Sequence, residues 1–145
     1  MRSRVDRFRH EPHPHGRGRS AERDAARWLE RQGFHVVAVN AATRAGEIDL
    51  VAREDDVLCF VEVKARTSDA YGPALAAVGP AKRRRLARAA ALWLARHPHD
   101  GPCRFDVLAL DAAPAGGSPE GAPDHSAAAP EDWTYTLVRN AFEAS

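Results

Sequence analysis

The chain has 145 residues, of which 44% are hydrophobic, so length and composition suit one domain with one packed core. No run approaches the roughly 18 apolar residues of a membrane span, and the polar N-terminus lacks the apolar stretch of a secretory signal. These features argue against a membrane partner and favour a cytoplasmic protein. The net charge is only +1, yet residues 1–19 carry +4 and the remaining residues carry −3.

The N-terminal segment differs in character from the rest of the chain. Residues 1–17 are polar, aperiodic and rich in arginine and histidine, which predicts a disordered basic arm. Residues 18–145 are predicted to form a single domain.

A first helix is predicted from Ser20, a favourable N-cap residue, to about Gln32, with Gly33 ending it. Helical spacing places Glu22 on or beside the buried face of this helix. The alternative is a first-turn glutamate that the helix dipole favours, and the helix taken alone favours that alternative.

Apolar runs predict five strands, and an apolar stripe that follows Gly79 and Pro80 predicts a second helix to about His97. The strands are predicted at residues 34–39, 47–53, 57–66, 103–110 and 133–138. Residues 112–131 are mostly Ala, Pro, Gly and Ser, which predicts a flexible insertion. The order α-β-β-β-α-β-β predicts an α/β fold in which helices flank a mixed sheet of about five strands.

Two cysteines, Cys59 and Cys103, lie in apolar runs that are predicted to be strands. Neither has a second cysteine at metal-ligand spacing, so both are predicted to be buried, reduced thiols.

The second and third predicted strands form a hairpin with charged residues inside apolar runs. If Asp55 and Asp56 make a two-residue turn, Asp49 lies opposite Glu62. Two facing carboxylates repel each other, and a divalent cation between them would remove that repulsion. Carboxylate oxygens suit Mg²⁺ or Mn²⁺, and Lys64 lies on the same face as Glu62. A metal and a lysine in one cavity are groups that phosphodiester hydrolysis uses.

The alternative for this hairpin is a solvated face, on which Glu47 and Lys64 form a cross-strand salt bridge of little energetic value. Two features argue against it. Leu58 and Phe60 share the face with Lys64, which indicates that the face is partly covered, and Glu22 is predicted in the same neighbourhood.

The second helix begins with a block of cations that contains no acidic residue. This block is a candidate for sequence-independent contacts with nucleic-acid phosphates, and its alternative is a solvated helix face. Its members are Lys82, Arg83, Arg84, Arg85 and Arg88.

Asp49, followed thirteen residues later by Glu62, Val63 and Lys64, resembles the PD-(D/E)xK signature of the restriction-endonuclease-like superfamily. Residues 18–142 resemble the YraN-like family of bacterial proteins, relatives of archaeal Holliday-junction resolvases. The resemblance rests on Asn40 and on the segments AERDAARWLERQGF, GEIDLVAR, FVEVKAR, YGPALAAVGPAKRRRL, CRFDVLAL and RNAF.

The resemblance implies a restriction-endonuclease-like fold and a role for each matching position. It implies metal ligation by the Asp49 and Glu62 carboxylates and by the Val63 backbone carbonyl. Lys64 matches the lysine that acts on the attacking water and on the developing charge. The other matching positions are Glu22, a helical glutamate and candidate further ligand, and Glu47 and Asp106, whose roles are not assigned.

The sequence departs from the family pattern at two of the motif positions. Ile48 precedes Asp49 in place of the proline of the signature, and Ala21 stands where the family usually has glycine.

The sequence therefore favours a Mg²⁺- or Mn²⁺-dependent nuclease that acts on DNA, including branched or damaged structures. A non-catalytic nucleic-acid-binding module and a protein-interaction factor on the same fold are the alternatives. The choices between DNA and RNA and between endonuclease and exonuclease stay open, as does the oligomeric state. Resolvase-like action implies a homodimer.

Overall fold

A computed structural model describes the backbone of residues 4–9 and the structure of residues 21–66, 78–112 and 133–143. These ranges contain six strands and two helices. In chain order they are β1 (Arg4–Arg9), α1 (Ala21–Arg31), β2 (His35–Thr43), β3 (Gly46–Glu54), β4 (Val57–Arg66), α2 (Pro80–Arg96), β5 (Cys103–Ala112) and β6 (Trp133–Phe142).

The strands form one mixed sheet in the order β1-β6-β5-β4-β3-β2. The neighbours β4 and β5 are parallel, because α2 lies between them in the chain and returns it to the same end of the sheet. The other neighbouring pairs are antiparallel. The predicted α/β class and the element order α-β-β-β-α-β-β are confirmed for α1 through β6.

Strand β1 was not among the predicted elements. Its register pairs Val5 with Val138 and Arg9 with Thr134, along the outer edge of β6. Residues 4–9 therefore differ from the predicted disordered arm, because the backbone of β6 supplies a partner that local composition does not reveal. The rest of that arm lies outside the described residues, as do residues 113–131 of the predicted insertion.

Helix α1 packs on one face of the sheet, and its end matches the prediction closely. Gly33, at φ 99°, turns the chain so that the Phe34 N–H donates to the Leu29 carbonyl at 3.0 Å. On the buried side of the helix, the Asp24 carboxylate accepts a hydrogen bond from Trp133 Nε1 at 3.2 Å. This contact fixes α1 against β6 and thereby sets the position of Glu22.

Helix α2 covers the opposite face, where Leu86, Ala90 and Trp93 are buried. The Trp93 ring meets the Phe60 ring edge-on, with 6.0 Å between ring centroids. The sheet therefore separates two apolar cores, one under each helix.

The β3–β4 hairpin has the predicted two-residue turn, with Glu54 paired to Val57 and Asp55 at φ 56°. Cys59 and Val61 point into the core under α1, whereas Leu58 and Phe60 point into the core under α2. Because side chains alternate along a strand, Glu62 and Lys64 lie on the α2 side. The predicted register is confirmed from the Glu54–Val57 pair to the Leu50–Val61 pair, where the ladder ends. The predicted faces of β3 are wrong at Ile48, which packs with Val51 in the core under α2 and not with Leu50 in the core under α1, because the regular alternation of β3 is broken beyond the ladder.

Both cysteines are free thiols, and Cys59 is buried as predicted. The prediction was wrong for Cys103, which is exposed because it begins β5 at the end of the sheet. Neither helix of the described part of the chain is long and apolar enough to cross a membrane.

Candidate active site

The strands β3 and β4 stop pairing before either one ends, and the acidic residues lie where they separate. The last pair of the ladder is Leu50 with Val61, although β3 continues to Gly46 and β4 to Arg66. Just past that pair, the Val63 N–H donates to Asp49 Oδ2 at 2.8 Å. The Asp49 carboxylate therefore bridges to β4 at a point where backbone pairing has ended.

The predicted opposition of Glu47 and Lys64 is not formed in the described hairpin. Glu47 lies beyond the end of the β3–β4 ladder and pairs on its other side with Ala42 of β2. Its side chain is exposed. The alternative hypothesis of a Glu47–Lys64 salt bridge across the two strands was therefore wrong, because it required the strands to stay paired at these residues.

Glu62 is a buried carboxylate with a cation against it. It retains only 7% of its exposure, beneath the start of α2. Lys82 of that helix makes an ion pair with Glu62 through its Nζ. A residue from the predicted phosphate-binding block thus reaches the predicted metal site.

The electrostatics bring Glu22 into the same neighbourhood. The pKa of Asp49 is raised to about 6, chiefly by burial and further by the charges of Glu62 and Glu22. The hydrogen bond from Val63 and the charge of Lys82 oppose this rise without cancelling it. Carboxylates from α1, β3 and β4 therefore act on one another at this end of the sheet.

Lys64 also lies within this group of charges. Its pKa is lowered, first by burial and then by the nearby charge of Lys82, while Glu62 acts in the opposite direction. The charges of Glu62 and Lys82 thus act on both Asp49 and Lys64.

The donors at this site fit a hard divalent cation. Asp49 and Glu62 supply carboxylate oxygens, and Val63, which directly follows Glu62 in the chain, supplies a backbone carbonyl. The raised pKa of Asp49 shows that positive charge beside this carboxylate is favourable, whereas Glu62 already has the Lys82 ammonium against it. Within the described residues, no three side chains of ligand type enclose an ion position. A cation held by the two acids and this carbonyl would therefore have positions left for other ligands.

In the predicted basic block, Lys82, Arg83 and Arg85 each contact another part of the protein. Arg83 Nε donates to the Val78 carbonyl at 2.7 Å, and its guanidinium lies 5.7 Å from the centre of the Phe142 ring. Arg85 Nη1 donates to the Glu47 carbonyl at 3.4 Å. Arg84 and Arg88 are exposed.

Gly46 makes room for Arg85 beside the carboxylates. A Cβ at position 46 would overlap the Arg85 guanidinium, and the φ of +128° is one that residues with a side chain rarely adopt. The glycine therefore allows α2 to approach the end of β3.

Asp106 belongs to a different group of charges. It is fully buried on the α1 side of β5, and it accepts hydrogen bonds from Arg104 Nε and the Asn140 N–H, each at 2.9 Å. Burial raises the pKa of Asp106, and the bonds from Arg104 and Asn140 oppose that rise. These contacts give Asp106 a structural part in a buried network, although its strand partner Val61 directly precedes Glu62.

Glu54 extends the same buried network and was not singled out from the sequence. Arg139 Nη2 donates to Glu54 Oε2 at 2.8 Å, and Arg104 also donates to this carboxylate. The pKa of Glu54 falls to about 2, chiefly because of the hydrogen bond from Arg139. One signal in the sequence was the pair Arg104 and Asp106, two residues apart on one face of an apolar strand.

Fold and site together define a mixed α/β protein that carries an acidic and basic cluster where two central strands separate. The chain belongs to the family described as "Uncharacterised protein family UPF0102", which matches residues 21–110. This confirms the YraN-like family assignment made from the sequence motifs.

Relatives from several bacteria carry the same family description. A UPF0102 protein of Alkalilimnicola ehrlichii is 50% identical over 103 residues, which cover 69% of this chain and 82% of the relative. One from Halorhodospira halophila is 51% identical over 98 residues, covering 68% and 79%. One from Klebsiella pneumoniae is 48% identical over 96 residues, covering 64% and 75%.

Proposed function

We propose that this protein is a nuclease that uses Mg²⁺ or Mn²⁺ to hydrolyse phosphodiester bonds in DNA, including branched structures. The observation that supports the proposal is that the charge of Glu62 acts on both Asp49 and Lys64 where β3 and β4 separate. The proposal places the chain in the PD-(D/E)xK superfamily, near the Holliday-junction resolvases, as the order of these residues suggests.

Each of these residues has a distinct part in the proposed mechanism. The Asp49 and Glu62 carboxylates and the Val63 carbonyl would hold the cation, and Glu22 is a candidate further ligand. When bound, the cation supplies Lewis-acid activation and neutralises charge on the phosphate. The Val63 N–H holds the Asp49 carboxylate in place before any ligand arrives. Lys64 supplies a fixed positive charge for the phosphate oxygens as their charge increases.

The start of α2 supplies the nucleic-acid contacts in this proposal. Arg84 and Arg88 are exposed, one helical turn apart, so both can meet phosphates on the same side of the helix. Such contacts hold the backbone of a nucleic acid without reading its sequence. We favour DNA over RNA as the substrate and a homodimer as the acting form, since paired cuts in a branched substrate require two sites.

A cleavage assay on a panel of substrates tests the proposal. Linear, flapped and four-way branched DNA, and the corresponding RNA, are incubated with Mg²⁺, with Mn²⁺ or with a chelator. We expect cleavage that depends on the divalent cation and is lost in Lys64→Ala, while calorimetry still detects Mn²⁺ binding by that variant. Cleavage that is unaffected by Lys64→Ala would contradict the assigned role of Lys64.

The ion pair between Lys82 and Glu62 favours a second candidate, a nucleic-acid-binding module that works without a metal. Lys82 already neutralises Glu62, so the fold does not need a cation there. The two candidates predict different results on the same panel. If the wild type binds nucleic acid, cuts no substrate and behaves like Asp49→Asn, the nuclease proposal is wrong. The binding module then takes its place.

A further inference from the structure

The contact between Lys82 and Glu62 joins a buried carboxylate to a side chain that can leave it. The Glu62 side chain is 8% exposed, whereas the Lys82 side chain is 43% exposed. Lysine carries its ammonium on a flexible four-carbon stem, so Nζ can turn to solvent without a change in the backbone. The Glu62 carboxylate is therefore shielded from solvent, whereas the Lys82 ammonium is accessible to solvent.

The position of Lys82 in α2 is unfavourable for a cation without such a partner. Lys82 is the third residue of the helix, whose first turn contains no acidic residue. The N-terminal end of a helix carries partial positive charge, which disfavours nearby cations. Glu62 compensates for that repulsion in the structure, and a nucleic-acid phosphate could do the same.

We propose that Lys82 is a built-in counter-ion that competes with the divalent cation for Glu62 and transfers to a substrate phosphate when the cation binds. This inference rests on the proposed function, because it takes Glu62 as a metal ligand. A divalent cation held by Asp49 and Glu62 would neutralise both carboxylates. Lys82 would then face the charge of the cation instead of an unneutralised carboxylate, and its ammonium would turn outward beside the exposed Arg84.

The exchange couples the two ligands of the site. A phosphate that takes Lys82 away from Glu62 makes Glu62 available to the cation, and the cation makes Lys82 available to the phosphate. By thermodynamic linkage, each ligand must raise the affinity of the other by the same factor. Lys82 would thus bind substrate and also prevent the site from holding a metal tightly when no substrate is present.

The first test measures Mn²⁺ alone by calorimetry. Lys82→Met removes the competing charge, so we expect it to bind Mn²⁺ at least about 5-fold more tightly than the wild type does, the lower end of common coupling factors. Lys82→Arg keeps the positive charge and is expected to retain the wild-type affinity. Arg84→Met is the matched control, because Arg84 is an exposed cation on the same helix turn, whereas it is Lys82 that pairs with Glu62.

Lys82→Met leaves Glu62 without its ammonium, so its folding is followed by thermal denaturation with and without Mn²⁺. We expect a larger Mn²⁺-induced rise in melting temperature for Lys82→Met than for the wild type or Lys82→Arg. This readout compares each variant with itself and therefore stays informative if the variants differ in basal stability.

The second test measures the coupling in a Lys64→Ala background, in which a labelled DNA duplex is expected to stay intact. Mn²⁺ is titrated with and without the duplex, and the duplex is titrated with and without Mn²⁺. Each ligand is expected to strengthen the other several-fold when Lys82 is present. Lys82→Met in this background is expected to lose most of that coupling.

The outcomes separate this inference from the proposed nuclease. Equal or weaker Mn²⁺ binding by Lys82→Met, with a wild type that binds Mn²⁺, overturns the role of Lys82 and leaves the metal site standing. Failure of the wild type and all variants to bind Mn²⁺ overturns the metal site and the Lys82 inference together. Tighter Mn²⁺ binding by Lys82→Met supports the inference even if the wild type cuts none of the substrates.

Discussion

Asp49 combines a half-buried carboxylate with a fixed hydrogen-bond donor. The Val63 N–H holds Oδ2, while burial and the neighbouring carboxylates raise the pKa of the group. Asparagine can keep an oxygen for the Val63 donor while removing the charge. Substitution at this position therefore separates the effect of the charge from that of the shape.

We predict that Asp49→Asn abolishes divalent-dependent cleavage and stabilises the metal-free protein by up to about 1 kcal/mol at pH 7. The pKa of Asp49 in the fold, about 6, lies above the ordinary value of 3.8, so ionisation of this group opposes folding. Wild-type stability in a chelator should fall as the pH rises between those two values, and Asp49→Asn should lack this loss. Denaturant unfolding of both proteins at a series of pH values measures this loss of stability.

Glu47→Gln is the matched control for Asp49→Asn, because Glu47 is an exposed acid two residues away on the same strand. It should leave both cleavage and the pH dependence unchanged. An Asp49→Asn protein that cuts as fast as the wild type would remove Asp49 from the site.

The contribution of Glu54 to the free energy of unfolding depends on pH in the direction opposite to that of Asp49. Its pKa of about 2 lies below the ordinary value of 4.5, so its ionised form stabilises the fold. Glu54→Gln should lower the free energy of unfolding at pH 7 by about 1–3 kcal/mol, because Arg104 and Arg139 lose a charged acceptor. The difference from the wild type should be complete above pH 4.5 and shrink as the pH falls towards 2.

Acid denaturation of the two proteins checks this prediction, with the exposed Asp100→Asn as the control. A difference that stays constant down to the lowest pH would show that Glu54 acts through packing and not through its charge.

At the scale of elements, α2 has one surface turned to the sheet and another turned to solvent. Lys82 and Arg85 reach towards β4 and β3, whereas Arg84 and Arg88 do not. Reversing the charge of the whole basic block would therefore disturb the site as well as the binding surface. Changing only the exposed pair avoids this difficulty.

We predict that the double change Arg84→Gln with Arg88→Gln weakens nucleic-acid binding and leaves Mn²⁺ affinity unchanged. Each lost phosphate contact should reduce the slope of log K against log salt concentration by about 0.9, so the pair should reduce it by about 1.8. Fluorescence anisotropy with labelled DNA at several salt concentrations measures that slope. Arg53→Gln with Arg96→Gln removes the same charge from two other exposed positions and should have less effect.

Most elements could be predicted from the sequence because their signals are local. Gly79 and Pro80 mark the start of α2, and the two-residue turn at Asp55 and Asp56 sets the hairpin register. That register alone brings Asp49 and Glu62 to the end of the ladder, just past the Leu50–Val61 pair. The metal-site hypothesis was therefore accessible before any tertiary contact was known.

The features that could not be predicted depend on distant partners. The pairing of Lys82 with Glu62 requires the position of α2 over β4, which no local pattern specifies. The point at which β3 and β4 stop pairing could not be predicted either, because both strands continue past it. Strand β1 lacks the apolar alternation that identifies strands, and its partner β6 lies at the other end of the chain.

At the scale of the whole molecule, β1 covers an edge of the sheet. Deleting residues 1–9 would leave the outer backbone groups of β6 unpaired. We predict a lower melting temperature, by about 2–4 °C for each kcal/mol lost, and a greater tendency to aggregate through the uncovered edge. Calorimetry and light scattering measure the two effects.

Deletion of residues 1–3 is the control, because it removes chain from the same end and spares β1. Equal melting temperatures and equal scattering for both deletions would show that β1 contributes nothing to the fold in solution.

The pairing of β1 with β6 also has a consequence for synthesis on the ribosome. Val5 pairs with Val138, so the first strand to be made must wait for the last one. At translation speeds of 5–20 residues per second, that delay is about 7–27 s. Throughout this interval the nascent chain has β1 without its partner, and the hairpin of β3 and β4 is made during it. The acidic residues of the hairpin are thus made before β6, and the sheet is completed only after β6 has been made.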